Sequence, residues 1–241
     1  MNRYIFDVDG TLTPSRGKMD PEFKEFFLEF AKTHPVFLVT GSDYPKTLEQ
    51  VGSEVTESVA CVYNCSGSDT WFKGKRVSCQ PFKLPLEVED LLNGWLAGSK
   101  FPIRTGNHIE KRMGLVNFSV VGRNATKEQR EEYAKYDMAN RERESIAYDI
   151  NTKFGDTTRA SVGGETGIDI HAKGADKSQI LVDFDPDSPE IHFFGDAMHE
   201  GGNDYPLARA NKRGKNYHVK DWQDTWTKLL IIQSIESEEY E

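Results

Sequence analysis

Two carboxylates one residue apart, Asp7 and Asp9, open the stretch Asp7-Val8-Asp9-Gly10-Thr11-Leu12-Thr13. Carboxylates so placed at a strand end can both reach one phosphate and one divalent cation, because Gly10 lets the chain turn sharply behind them. One can attack phosphorus; the other can give and take the proton of the departing oxygen. Asp-x-Asp-Gly alone also fits an accidental turn or a fragment of a calcium loop. The apolar Arg3-Tyr4-Ile5-Phe6 run before it and the Thr-Leu-Thr after it favour phosphoryl chemistry.

Other polar residues follow further along, some of them closing apolar runs. Thr40 closes Val36-Phe37-Leu38-Val39 and leads into Gly41-Ser42-Asp43, and Asp196 follows Ile191-His192-Phe193-Phe194-Gly195. Lys177 opens a later helical stretch, and Asn203-Asp204 stand in a glycine-rich loop. Each has a plain structural alternative as a strand end, a solvated charge or a turn.

The elements needed to hold these residues are legible. Asp20 can cap a helix that starts on Pro21 and carries Phe23, Phe26, Phe27, Phe30 and Ala31 on one face. Val36 to Val39 is a buried strand, Tyr44 to Val51 a helix, and Ala60 to Tyr63 another strand. Strand, helix, strand, helix, strand in that order predicts a parallel sheet with helices on its faces, and ligands bind at the carboxyl ends of such strands. Asp7 to Thr13 and Thr40 to Asp43 would then share one rim.

The middle of the chain has a different grammar. Leu84, Val88, Leu91, Leu92, Trp95 and Leu96 form an amphipathic helix, and Leu115 to Val121 alternates as a half-exposed strand. Thr126 with Gln129 makes a capping box for a helix to about Asp137; Ile146, Ile150 and Phe154 suggest another. Ala160 to Val162 and Gly167 to His171 look like strands. The first pattern then resumes with a helix from about Lys177, a strand at Ile191 to Phe194, and a last helix carrying Trp222, Trp226, Leu229 and Leu230 on one stripe. An α+β unit, 82–176, is therefore expected inside an α/β core made of 1–81 and 177–241.

A formal net charge of −9 repels nucleic acid and anionic membrane, so neither is expected as a partner, and an anionic substrate needs a local basic patch. No apolar run approaches the ~18 to 20 residues of a membrane span, and Asp7 and Asp9 fall where a signal peptide would be apolar. A cytoplasmic protein is expected. The odd number of cysteines, Cys61, Cys65 and Cys79, argues against a disulfide framework and for mostly buried thiols.

The Asp7-Val8-Asp9-Gly10-Thr11 stretch resembles the first motif of the haloacid dehalogenase (HAD) superfamily, in which the first Asp becomes an aspartyl phosphate. By that resemblance Thr40 is the hydroxyl and Lys177 the cation that bind the transferring phosphoryl group, and Asp196 is a metal carboxylate. The likeness narrows to the eukaryotic-type phosphomannomutase family through Arg16 and Lys18, Gly41-Ser42-Asp43 with Lys46 and Glu49-Gln50, and Gly201-Gly202-Asn203-Asp204. Ile109-Glu110, Arg112, Gly114, Asn117, Ser119, Gly122-Arg123, the 128–130 stretch, Gly163-Gly164, Asp169 and Asp176-Lys177 carry it across the middle of the chain.

The resemblance implies a HAD-like Rossmannoid parallel-sheet core with an inserted α+β cap of the C2 type. It implies a mutase that interconverts mannose 1-phosphate and mannose 6-phosphate through a sugar 1,6-bisphosphate. Mg2+ would be held by Asp7, the Asp9 backbone carbonyl and Asp196, and a homodimer would form through the caps. Arg112, Arg123 and Arg130, with Arg16 assisting, would bind the phosphate not being transferred, and Asp169 the hydroxyls of the phosphorylated hexose. Four departures stand out. Gly167 replaces a serine, His108 an aromatic residue of the dimer contact, Cys65-Ser66-Gly67 a Glu-Asn-Gly, and Ala197 a lysine. The rivals are a sugar phosphatase of the same superfamily, which shares every core residue, and a non-catalytic sugar-phosphate sensor.

Overall fold

The computed structural model describes residues 2–15, 17–185 and 190–238. It divides into two compact units, one formed by Met1–Cys79 with Asp176–Glu241, the other by Gln80–Ala175.

The first unit opens with β1 (Arg3–Phe6) and α1 (Pro21–Thr33). Asp20 Oδ1 accepts from the amides of Glu22 (3.0 Å) and Phe23 (3.1 Å), and Pro21 takes the first position, where no amide partner is needed. Phe23, Phe27 and Phe30 face the sheet at helical spacing. The helix stops at His34, which is extended because Pro35 follows. Then come β2 (Val36–Val39), α2 (Tyr44–Val51), the short α3 (Ser53–Ser58) and β3 (Cys61–Asn64). A hairpin of β4 (Asp69–Phe72) and β5 (Lys75–Cys79) turns on Lys73 and Gly74, both at positive φ, as a two-residue hairpin requires.

In the second unit α4 (Leu86–Gly98) precedes β6 (Ile109–Lys111), β7 (Val116–Phe118), α5 (Lys127–Asn140), α6 (Glu142–Phe154), β8 (Thr158–Gly163) and β9 (Gly167–Ala172). The chain returns to the first unit through a 3-10 helix, Lys177–Asp183, then β10 (Ile191–Gly195), α7 (Tyr205–Ala210), β11 (Lys215–His218) and α8 (Trp222–Glu238).

The seven-stranded sheet runs β11-β10-β1-β2-β3-β4-β5, parallel from β11 to β3 and antiparallel beyond. Both faces of the parallel part are covered. Tyr4, Phe6 and Phe194 pack with α1 and Leu229 of α8; Ile5, Val39 and Phe193 pack with Ile180, Phe184 and Leu207. The smaller sheet, β6-β7-β9-β8, is wholly antiparallel and buries one face. Phe118, Ile168, Ile170 and Ala160 meet Val88 and Leu92 of α4 and Ile146 and Ile150 of α6.

Several expectations need correction. The segment after Asp176 is a 3-10 helix, because Asp176 Oδ1 takes both the amide (2.9 Å) and the hydroxyl (2.5 Å) of Ser178 and tightens the first turn. Leu115 to Val121 holds a strand only at Val116–Phe118, and all three residues are buried, the polar Asn117 because it is hydrogen-bonded on its own face. Leu230 leaves the α8 stripe, since one residue past Leu229 is a turn of about 100°. Cys79 is exposed on the edge strand, whereas Cys65 is buried and Cys61 half-buried.

One buried ion pair locks the turn between β8 and β9. Arg143 Nε lies 2.8 Å from Asp137 Oδ2, and its Nη1 donates to the Gly164 carbonyl at 2.9 Å. Removing one partner strands the other charge, so Asp137→Ala should cost about 3 to 5 kcal/mol in denaturant unfolding. A loss under about 1 kcal/mol would contradict that role.

Candidate active site

Parallel pairing places the first site residue. Phe6 stands opposite Phe194 and Leu38, so Asp7, Gly195-Asp196 and Val39-Thr40 emerge at the same rim. The Asp7 amide donates to the Phe194 carbonyl (2.9 Å), extending the ladder one residue past β1. Past Asp7 the backbone folds on itself. The amides of Leu12 (2.9 Å) and Thr13 (3.1 Å) share the Val8 carbonyl, and the Gly10 amide donates to the Thr13 carbonyl (2.9 Å). Gly10 is required twice: its φ is +79°, and a Cβ there would run into the Asp196 carboxylate. Thr225 of α8 secures the loop with a 2.7 Å hydrogen bond to the Thr11 carbonyl.

The Asp7 side chain is buried beside a lysine that serves two carboxylates. Lys177 Nζ, fully buried, donates to Asp7 Oδ1 and to Asp204 Oδ1, the latter at 2.7 Å. Asp204 Oδ2 takes the Ala197 amide at 3.0 Å, and Thr11 Oγ1 reaches Asp7 Oδ2 at 3.4 Å. Gly195 makes room, since a Cβ there would sit 2.6 Å from Asp204 Oδ2. Asp204 stood in the sequence only as part of a glycine-rich loop; its role as second counter-ion to Lys177 depends on a long-range approach that spacing does not encode.

Asp9 takes a different environment. It is half-buried, accepting from Gln50 Nε2 at 2.8 Å and from Ser42 Oγ at 3.4 Å. Gln50 also reaches Thr13 Oγ1 (3.3 Å), so α2 and the loop after β2 hold the second carboxylate in place. Thr40 is buried, and its Oγ1 accepts the Ser42 amide at 3.1 Å.

Carboxylate oxygens of Asp7, Asp196 and Asp204 lie within 4.8 Å of one another. With Lys177 the group carries a formal charge of about −2, which a hard, oxygen-seeking dication would neutralise. The donor set thus fits Mg2+. Burial pushes the Asp7 carboxyl up to about 8 against the opposing pull of Lys177, and burial followed by Asp204 raises Asp196. For Lys177, burial works against the ammonium, but Asp204 and Asp7 outweigh it and raise its proton affinity.

A carboxyl whose native pKa is raised stays protonated in the fold while the unfolded chain ionises, so stability falls as pH rises between ~4 and ~8. Metal-free protein should follow that slope. Mg2+ needs the ionised carboxylates, so its stabilisation should be larger at pH 8 than at pH 5, about 5 to 10 °C at a hundredfold excess over its dissociation constant. Thermal unfolding in EDTA and in Mg2+ at both pH values checks this; equal shifts would contradict it.

The second unit gathers another polar set on the sheet face opposite its core. Glu110 of β6 stands opposite Asn117 of β7, which stands opposite Asp169 of β9. Glu110 Oε2 accepts from Arg112 Nε (3.0 Å) and Nη2 (2.6 Å) and pairs with Arg123 Nε (3.0 Å), so the two arginines converge. Arg123 Nη1 also donates to Asn117 Oδ1 (3.2 Å), and Asn117 Nδ2 donates to Asp169 Oδ1 (2.6 Å). Arg130 pairs instead with Glu165, at 3.9 Å. Arg16 lies outside the described residues. His108 Nδ1 pairs with the Ser119 carbonyl at 2.8 Å.

A family model described as eukaryotic phosphomannomutase matches residues 23–234. The chain is 36% identical over 238 residues to a phosphomannomutase of Spinacia oleracea, covering 95% of this chain and 94% of that protein. It is 37% identical over 231 residues to Homo sapiens phosphomannomutase 1, covering 92% and 88%. Among solved structures, an Aspergillus fumigatus trehalose-6-phosphate phosphatase superposes with a TM-score of 0.63 at 11% identity, over 97% of this chain and 92% of that one. A Plasmodium falciparum IMP-nucleotidase gives a TM-score of 0.62 at 15% identity, over 97% and 68%. These two structures establish the HAD fold and nothing narrower.

Proposed function

The chain belongs to the eukaryotic phosphomannomutase family, and on that premise we propose that it interconverts mannose 1-phosphate and mannose 6-phosphate through an aspartyl phosphate on Asp7. The observation that supports the chemistry most is the buried Asp7–Lys177–Asp204 cluster with Asp196 alongside.

Asp7 attacks phosphorus in line with the sugar oxygen of a hexose 1,6-bisphosphate. The new bond joins Asp7 to phosphorus, the old phosphorus–oxygen bond breaks, and Asp9 protonates the departing oxygen. The monophosphate product leaves, and the other monophosphate presents its free hydroxyl to Asp9, which takes the proton as that oxygen attacks the aspartyl phosphate. Lys177 and Thr40 hold the phosphoryl oxygens, a positioning task that dominates phosphoryl transfer. Asp7, Asp196 and the Asp9 carbonyl, with Asp204 close by, would hold Mg2+, which neutralises charge on the transferring group. A trace of the 1,6-bisphosphate keeps Asp7 phosphorylated and is therefore the activator. Homodimers and a cytoplasmic site of action belong to the same proposal; no helix among the described residues is long and apolar enough to cross a membrane.

Arg112 and Arg123 bind the phosphate not being transferred, exchanging Glu110 for a dianion that guanidinium can grip with two hydrogen bonds. Arg123→Ala or Arg112→Ala should weaken hexose phosphate binding by about 1.5 to 3 kcal/mol, roughly 10- to 150-fold in KM. Labelling of Asp7 by acetyl phosphate should survive either change. Equal damage to both reactions would contradict the separation of roles.

The activity itself is tested by phosphorus NMR of mannose 1-phosphate with Mg2+ and a trace of the bisphosphate. Mannose 6-phosphate should build up faster than free phosphate. Free phosphate without isomerised sugar would overturn the proposal.

A further inference from the structure

Asn117 is almost completely buried, at 4% exposure, yet it touches two groups that are not, the exposed Arg123 and the half-buried Asp169. The chemistry of those partners fixes its amide orientation. A guanidinium can only donate, so it must meet Oδ1, at 3.2 Å; the Asp169 carboxylate can only accept, so it must meet Nδ2, at 2.6 Å. Gly167 leaves this amide its space, because a Cβ there would lie 2.6 Å from Asn117 Nδ2.

An amide between a cation and an anion satisfies both without neutralising either. Take it away, and a carboxylate and a guanidinium that both reach the same short side chain are free to pair directly, each using up the lone pairs or protons it would show a ligand. With Asn117 present, and among the described residues, Asp169 is tethered through Oδ1 alone and Arg123 through one Nη1 hydrogen and through Nε to Glu110.

We propose that Asn117 is a positioning residue that insulates Asp169 from Arg123, so that the sugar-hydroxyl acceptor and the phosphate donor are held apart and presented together to one hexose phosphate. This rests on the phosphate-binding role proposed above for Arg123 and on the sugar-hydroxyl role that the family resemblance implies for Asp169.

Asn117→Ala should raise KM for mannose 1-phosphate about 10- to 100-fold with kcat within about threefold, because binding is lost equally in the ground and transition states. Labelling of Asp7 by acetyl phosphate should be unchanged. The double variant Asn117→Asp with Asp169→Asn re-forms the hydrogen bond with its polarity reversed. It should fold as the wild type does, yet by setting a carboxylate directly against Arg123 it should weaken inhibition by inorganic phosphate and retain the raised KM for the sugar phosphate. A KM within twofold of wild type for Asn117→Ala overturns the inference, as does a parallel fall in acetyl phosphate labelling or wild-type phosphate inhibition in the double variant. If Arg123→Ala and Asp169→Ala each leave KM unchanged, the substrate-binding assignment itself fails and the inference falls with it.

Discussion

Asp7→Asn gives a folded protein that forms no covalent phosphoenzyme and loses turnover on the order of 10⁶-fold, as nucleophiles do when they act as a unit with their neighbours. The amide keeps the shape of the carboxylate and an oxygen for Lys177, so the local fold has no reason to change. Stability in EDTA should hold or rise, because the replacement removes a carboxyl that burial penalises in its charged form. The paired readouts are acid-stable labelling from a phosphorylated donor and the thermal midpoint. Labelling of the variant at near wild-type level would place the nucleophile elsewhere, whereas a collapsed midpoint would mean that Asp7 is mainly structural.

Asp9→Asn should cost ~10²- to 10⁴-fold in mutase turnover, the range for a lost general acid or base. Its selectivity is the sharper signature. A hexose alkoxide cannot depart without a proton, while the acetate released from acetyl phosphate can, so the substitution should slow transfer from the bisphosphate far more than labelling by acetyl phosphate. An amide oxygen at position 9 can still accept from Gln50 Nε2, which keeps α2 in place and separates the chemical effect from a structural one. Equal loss with both donors would remove Asp9 from the proton-transfer role.

The sequence was most informative where local rules and burial agree. The α1 start at Asp20-Pro21, the Tyr44–Val51 helix and the Thr126–Gln129 capping box all follow from side chains within four residues of the backbone they satisfy. The parallel order of strands predicts the Asp7 to Thr13 and Thr40 to Asp43 clusters at one rim, since a polar residue follows each of β1 and β2 at once; Asp196, directly after β10, joins them in the fold. The β4–β5 hairpin was not expected. Its strands are short, β5 is exposed throughout, and the one signal is a Lys73-Gly74 pair that any loop could contain. β11 was missed for a similar reason, with Lys215, Asn216 and His218 exposed on the other edge.

Within the site, the sequence pointed to carboxylates but not to which of them meet. Asp204 is 27 residues from Lys177, and only the folded chain brings its Oδ1 to 2.7 Å from that ammonium. Asn117, named in the sequence only as part of a pattern, owes its place to β7 lying between β6 and β9. Register across a sheet made from distant segments is set by tertiary packing, which no local spacing records.

The most direct measurement follows one phosphoryl group. Protein is phosphorylated on Asp7 with mannose bisphosphate carrying labelled phosphorus, freed of excess donor, and mixed with unlabelled mannose 1-phosphate and Mg2+. The account predicts that the label leaves Asp7 for the sugar, appearing first in the bisphosphate and then in mannose 6-phosphate, ahead of any label in free phosphate. Label released as inorganic phosphate while mannose 1-phosphate stays unchanged would show that water, and not the sugar hydroxyl, accepts the group from Asp7, and would contradict the account.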